Sequence, residues 1–262
     1  MRTASKINTR SQQWYGWLPD LPDHRDLLYS AIKPSFAALP RKIDLRSKCS
    51  PIENQLSLGS CTANALAGAL EFLERKDGAP FVDLSRLFIY YNERAIEGTV
   101  NEDSGAFIRD GIKSLAKQGV CPEKDWPYKI STFKSKPSAK CYAAAKKHQI
   151  TSYHRISSLD EMKTCLADRF PFVFGFTVYD AFESAAVAKS GVLNLPGPNE
   201  KVLGGHAVVA VGYDDAQQRF TIRNSWDTDW GMKGYFTMPY DYLDPSKNLA
   251  DDFWTIRASE EG

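Results

Sequence analysis

Four polar residues, widely separated in the chain, have the types and the order of a cysteine-nucleophile acyl-transfer site. Cys61 supplies a thiol, His206 an imidazole and Asn224 a side-chain amide, in that order along the sequence. In such sites a thiolate attacks a carbonyl carbon, an adjacent imidazole moves the proton, and a third group orients the ring. Gln55 lies six positions before the thiol and can join the Cys61 backbone N–H in binding an oxyanion. The sequence therefore predicts acyl transfer through a Cys61 acyl-enzyme.

A lone cysteine at the start of a helix is more often an unreactive core residue than a nucleophile. The neighbours of Cys61 and His206 nevertheless favour the catalytic hypothesis. Gly59-Ser60 directly before the thiol predicts a small-residue turn that leaves the sulfur reachable. In the first turn of a helix, unsatisfied N–H groups and a nearby imidazolium favour the thiolate. His206 lies between glycines and an apolar run, and Trp226 can shield its hydrogen bond to Asn224.

Helices are predicted mainly in the first half of the chain. Apolar residues recur at helical spacing from Cys61 to Gly78, from Leu84 to Ala95, and from Ile108 to Gly119. Ser158, followed three residues later by Glu161, predicts a capping box that opens one more helix.

Strands are predicted mainly in the second half. Runs rich in aromatic and β-branched residues cover 170–178, 207–211, 220–223 and 235–238. The sequence therefore indicates an α+β fold, with the thiol on a helical half, the imidazole on a sheet half, and the active-site cleft between them.

The first 40 residues differ from the rest. Trp14, Tyr15 and Trp17 lie close together, and Pro19 and Pro22 exclude a regular helix. We expect an extended arm packed on the domain surface, and an inhibitory prosegment is the functional alternative.

Composition limits the class of protein and its partners. With 262 residues, 43% of them hydrophobic and 25% charged, the chain can form one domain or two packed halves. The 33 basic and 32 acidic residues leave a net charge of +1, so neither nucleic acid nor an anionic membrane is an expected partner. The six lysines between Lys129 and Lys147 are interpreted as a solvated loop.

The sequence leaves the compartment open. No run approaches the roughly 20 apolar residues of a membrane-spanning helix. The basic start, residues 1–10, lacks a following apolar segment and is no signal peptide as written. A chain whose signal had been removed would look the same, so a secreted or periplasmic protein is possible, and otherwise a cytoplasmic one.

The other four cysteines are expected to have structural roles and not catalytic or metal-binding ones. No Cys-x-x-Cys pair occurs, which argues against structural zinc, and we expect neither metal nor cofactor. Cys121 and Cys141 flank a polar loop and are the expected disulfide pair if the compartment is oxidising. Cys165 is expected to be buried and inert.

With these residues and spacings, the sequence resembles the papain family of cysteine peptidases, and its bacterial branch in particular. The motifs are Gln55-x5-Cys61, Gly205-His206-Ala207 and Asn224-Ser225-Trp226-x3-Trp230-Gly231-x2-Gly234-Tyr235, with Leu39-Pro40-x3-Asp44-Leu45-Arg46 upstream. The resemblance covers about residues 41–250, and the combined motifs are far more specific than any one of them.

The resemblance implies a papain-like fold of two subdomains in a catalytic domain 39–262, helical over about 45–150 and β over about 151–262. Residues 1–38 would be a short prosegment lying across the cleft, as in a zymogen. The resemblance also implies a substrate-binding role for four residues: Ser104, Gly105, Ala207 and Trp226.

The chain departs from the family pattern close to the nucleophile. A cysteine that many relatives pair in a disulfide is Leu58 here, a tryptophan is Thr62, and a glycine is Asp227. The glycine that pairs with the substrate backbone is matched by Gly105, after Ser104.

We therefore predict a monomeric thiol endopeptidase that acts on peptide or protein substrates. An amidase or transpeptidase would use the same Cys-His-Asn site, and turnover of dipeptidyl-amide substrates separates these readings. A non-catalytic binding module is the third hypothesis, but such modules usually lack the cysteine or histidine, and both are present here.

Overall fold

The helices lie mostly in the first part of the chain, as predicted. The computed structural model describes residues 15–33 and 38–258. Within these ranges the helices are α1 Cys61–Lys76, α2 Arg86–Glu97, α3 Ile108–Lys117, α4 Ala139–Ala145, α5 Leu159–Ala167, α6 Ala185–Ser190 and α7 Tyr240–Leu243. Ser158 caps α5 as predicted, because its hydroxyl accepts the Glu161 N–H at 3.2 Å. The Glu161 carboxylate accepts the Ser157 N–H at 2.7 Å, one residue before the N-cap, so the return bond differs from that of a capping box.

The lysine-rich segment contains more regular structure than a solvated loop. It includes a 3₁₀ turn at Ile130–Thr132 and helix α4. Ser138 caps α4 by accepting the Cys141 N–H at 3.4 Å, and the helix buries Cys141 and Ala145. The loop prediction is therefore wrong for part of this segment, because a cap and several alanines favour helix despite the flanking lysines.

One antiparallel sheet dominates the second part. In the described residues the strands are β1 Trp17–Leu18, β2 Lys42–Asp44, β3 Ala106–Phe107, β4 Ser152–Arg155, β5 Phe172–Tyr179, β6 Val202–Asp214, β7 Arg219–Arg223, β8 Tyr235–Pro239 and β9 Ala250–Arg257. The strand order is β4-β9-β5-β6-β7-β8, and β2 pairs with β6. The sequence predicts β5 to β8 and misses β2, β4 and β9 of this sheet, as well as the short separate pair β1 and β3. Strand β9 escapes prediction because Asp251 and Asp252 interrupt its apolar pattern.

Helix α1 packs against strand β6, which brings the two halves together. Gly68 permits the close approach, since a side chain there would meet the Arg223 guanidinium at 2.9 Å. Arg223 in turn donates to the carbonyls of Ser50 and Pro51, each at 2.6 Å. Cys61 at the start of α1 and His206 in β6 therefore face the same cleft. The fold is α+β, as predicted.

All five cysteines lie within the described ranges and are free thiols. Cys121 and Cys141 are buried and hydrogen-bonded to each other, so their pairing under oxidising conditions stays a prediction. Cys165 is fully buried and donates to the Phe170 carbonyl at 3.5 Å. Burial raises the pKa of its thiol to about 11, which agrees with an inert role.

Candidate active site

Cys61 is the first residue of α1, after Ser60 at the N-cap. Its thiol is fully buried and accepts hydrogen bonds from the backbone N–H groups of Ala207, Gly16 and Thr62. Burial raises its pKa to about 11, although these N–H groups act in the opposite direction. The sequence led us to expect a stabilised thiolate. The structure differs because residue 16 of the N-terminal segment covers the sulfur and excludes water.

His206 and Asn224 are joined on the other wall of the cleft. Nε2 of His206 lies 2.8 Å from Oδ1 of Asn224, and both residues are buried. The Trp226 ring packs on the imidazole with the ring centroids 5.1 Å apart. The bond is therefore shielded from water, as expected. With Nε2 held by Asn224, proton transfer with the thiol falls to Nδ1.

Gln55 is held with its amide close to the nucleophile. Its Oε1 accepts from the Ser225 hydroxyl at 2.7 Å, and its Nε2 donates to the Leu58 carbonyl at 3.1 Å. Its backbone N–H also donates to the Ser225 carbonyl at 2.9 Å. A primary amide has two N–H donors. One of them fixes the turn before Cys61, and the other is chemically suited to an oxyanion.

The loop that contains Ser104 and Gly105 forms the opposite edge of the cleft. Gly105 has φ +74°, and a side chain there would come within 2.3 Å of the Gly16 carbonyl oxygen. The N–H that donates to this carbonyl, at 2.7 Å, belongs to Ala106. The Ser104 hydroxyl lies 2.9 Å from the Thr99 hydroxyl and 3.1 Å from the Gly105 carbonyl oxygen, which can only accept. Sequence reasoning did not predict this contact between Ala106 and the N-terminal segment, and the pairing of Gly105 with the substrate backbone stays a prediction.

Residues 15–33, which we call the arm, begin inside the cleft; Trp14 lies outside the described residues. The Tyr15 ring lies 6.1 Å from the His206 ring and 6.4 Å from the Trp226 ring, measured between centroids. Gly16 passes the sulfur, and β1 at Trp17–Leu18 pairs in parallel with β3. The Trp17 indole lies against Gly175, where a side chain would come within 1.9 Å of the ring. The first residues of the arm therefore lie in the cleft beside Cys61, and the arm includes a 3₁₀ turn at Tyr29–Ala31; its role as a prosegment stays a prediction.

A buried carboxylate pair anchors the arm beyond the cleft. Asp252 accepts from Trp17 Nε1 at 3.0 Å and from the Asp20 backbone N–H at 2.8 Å. Asp20 accepts from Trp254 Nε1 at 3.1 Å. Burial, together with the neighbouring Asp252, raises the pKa of Asp20 to about 7. Asp252 has φ +56° at an irregularity in β9, so its side chain turns inward.

Two arginines hold the next part of the arm. Arg109 pairs with Asp26 at 2.7 Å and donates to the Leu21 carbonyl at 2.7 Å. Arg155 contacts Asp26 at 3.4 Å and Asp252 at 3.1 Å. Sequence reasoning missed these contacts because no local motif links residues so far apart in the chain.

Within residues 15–33 and 38–258, no cluster of three or more histidine, cysteine, aspartate or glutamate side chains has the arrangement of a metal site. No helix in these ranges has the length and apolar character needed to cross a membrane.

Comparison with known proteins identifies the family. The family model for papain family cysteine proteases matches residues 39–247. The uncharacterized peptidase C1-like protein L477 of Acanthamoeba polyphaga mimivirus is 40% identical over 93% of this chain and 86% of its own length. Chymopapain of Carica papaya is 28% identical over 82% of this chain and 58% of its own length. The crystal structure of xylellain, a cysteine protease from Xylella fastidiosa, is 46% identical with a TM-score of 0.88 and covers 96% of this chain and 98% of that chain. The chain belongs to the papain family and is a cysteine peptidase that acts on peptide or protein substrates.

Proposed function

We propose that this peptidase is an endopeptidase kept latent by its own arm. The main support for this proposal is one hydrogen bond: the Gly16 backbone N–H donates to the Cys61 sulfur while the arm lies along the cleft. The arm presents an N–H donor to the nucleophile, where a substrate must present a carbonyl carbon. A peptide bound in this way blocks the cleft without being positioned for attack.

With the arm displaced, the four motif residues have complementary roles. Cys61 attacks the scissile carbonyl carbon, and Gln55 Nε2 and the Cys61 backbone N–H bind the oxyanion. His206 takes the thiol proton and gives it to the leaving amine, which yields the acyl-enzyme. His206 then accepts a proton from water as the water attacks the thioester, and returns it to the Cys61 sulfur as the C–S bond breaks, which releases the acid and restores the thiol. Asn224 orients the imidazole throughout.

Substrate binding would use the surfaces that the arm now occupies. We propose that the Gly105–Ala106 edge pairs with the substrate backbone, and that Ser104 shapes this edge from behind. Ala207 lines the cleft beside the sulfur, and Trp226 lies under the part of the substrate beyond the scissile bond. Because one chain supplies every one of these groups, we also propose a monomer, which light scattering would check.

Replacement of the nucleophile tests the catalytic assignment. In a full chain that carries Gly16→Val, a replacement designed to displace the arm, we expect Cys61→Ala to abolish hydrolysis of a fluorogenic dipeptidyl amide while the thermal unfolding temperature stays close to that of the Gly16→Val chain. Cys165→Ala is the matched control, because it removes another fully buried thiol outside the cleft and should retain activity. Full activity in Cys61→Ala, or equal losses in both variants, would refute the assignment.

A further inference from the structure

Asp103 contacts the turn that leads into the nucleophile. Both of its carboxylate oxygens lie 3.1 Å from the backbone nitrogen of Gly59. One of them also accepts from the Tyr90 hydroxyl at 2.5 Å. The Tyr90 oxygen in turn accepts the Gly105 backbone N–H at 3.2 Å. A single carboxylate and one phenol thus connect Gly59 with Gly105.

The two connected glycines belong to the two parts of the cleft that must be aligned for catalysis. Gly59 lies between Leu58, whose carbonyl holds the Gln55 amide, and Ser60-Cys61. Gly105 precedes Ala106, whose N–H already pairs with an extended peptide in the arm. The connection therefore joins the oxyanion donors to the edge that receives the substrate backbone.

The connection is rigid and does not depend on a covalent bond. All five cysteines are free thiols within the described ranges, so no disulfide ties this turn. The fully buried Arg94 lies 4.0 Å over the Tyr90 ring and donates to the carbonyls of Val100 and Glu102, each at 2.9 Å. These contacts fix both the phenol and the loop that carries Asp103.

We propose that Asp103, acting with Tyr90, is a positioning residue for catalysis: it holds the Gly59–Cys61 turn and the Gly105 edge in register. It does not touch the substrate. The proposal rests on the proposed function of Cys61 and Gln55, because those are the groups that it positions.

The kinetic test uses the full chain with Gly16→Val, a replacement designed to keep the arm out of the cleft. Asp103→Asn retains size but puts an amide N–H against the Gly59 N–H, and we expect kcat per titrated active site to fall about tenfold, as small misalignments of reacting groups do. KM should change much less. Tyr90→Phe releases Gly105 and should raise KM as well. The matched controls are Glu102→Gln, an exposed neighbour with the same charge change, and Tyr91→Phe.

Counting active sites with a thiol-directed epoxide separates positioning from folding. A merely structural residue would lower the unfolding temperature and the number of titratable sites, with kcat per site unchanged; that result would overturn the proposal. If the Gly16→Val background itself were inactive, the proposed function would fail instead. The alkylation rate of Cys61 would still decide on Asp103: it should be lower in Asp103→Asn than in Glu102→Gln, and equal rates would overturn the proposal.

Discussion

The Gly16 amide donates a hydrogen bond to the Cys61 sulfur, so the arm reaches the nucleophile itself. At this point the arm has no side chain, and its backbone passes between Gly59 and Gly105. Burial under the arm raises the pKa of the thiol to about 11, which keeps it protonated and unreactive at neutral pH. The proposed latency therefore has two causes: the arm fills the cleft, and the raised pKa of the Cys61 thiol disfavours the thiolate.

Gly16→Val should activate the full chain. A side chain at residue 16 would come within 1.8 Å of the Gly59 carbonyl oxygen, so the arm cannot stay seated. Overpacking of this kind costs about 1–3 kcal/mol, which predicts a rise in peptidase activity of about tenfold or more. Gly197→Val is the control, because there a side chain would meet its nearest neighbour, Glu200, only at 3.6 Å. Equal activity of the wild-type and Gly16→Val chains would argue against autoinhibition.

Latency should weaken as the pH rises. Asp20 has the usual carboxyl pKa of 3.8 when exposed, and burial beside Asp252 raises it to about 7 in the seated arm. Seating therefore takes up a proton. The contribution of Asp20 to binding of the arm is fully present below about pH 4 and is lost as the pH rises through about 7. The equilibrium constant for arm binding falls by at most about tenfold per pH unit. Arg109, Arg155 and Trp254 also face this pair, and burial raises the pKa of the Asp252 carboxyl as well.

The measurement is the ratio of wild-type to Gly16→Val activity between about pH 5 and 8, in which the pH dependence of catalysis cancels. We expect the ratio to increase with pH, and Asp20→Asn, which mimics the protonated acid, to flatten the increase. A ratio that falls with rising pH would contradict the assignment of Asp20.

Asn224→Ala should impair catalysis more than binding. The 2.8 Å bond from Asn224 to His206 fixes the ring, and its loss should lower kcat by about 10- to 100-fold, part of the usual contribution of acid–base catalysis. KM should change little. Asn194→Ala, an exposed asparagine on the same half of the chain, is the control. Steady-state kinetics in the Gly16→Val background would give both constants, and an unchanged kcat would remove Asn224 from the mechanism.

Gln55→Ala should lower kcat by about 100-fold or more, as loss of one oxyanion donor does. The same change removes the bonds to Ser225 and Leu58, so the unfolding temperature must be measured alongside. Gln217→Ala is an exposed control. If Gln55→Ala lowered only the unfolding temperature and left kcat per titrated site intact, Gln55 would be a structural residue.

The sequence was most informative where residue type and spacing alone constrain the chemistry. Apolar residues at helical spacing after Cys61 place it at the start of a helix, and an apolar run places His206 in a strand. Asn224 follows strand β7 and reaches the imidazole. These placements depend on local pattern and are recovered by the structure.

Long-range polar contacts could not be predicted in the same way. Asp252 belongs to a strand whose pattern it interrupts, and its inward turn requires a positive φ that the sequence does not signal. Asp103 contacts Gly59 across 44 residues, without any motif. Local periodicity predicts which residues share a helix or strand face; it contains no information on which distant loop a carboxylate will contact.

The most direct test is labelling of the wild-type and Gly16→Val full chains with a thiol-directed epoxide, read by intact mass and peptide mapping. We expect a single adduct on Cys61 that forms rapidly in Gly16→Val and slowly in the wild type. Equal rates in the two chains, or an adduct on a different cysteine in Gly16→Val, would contradict it.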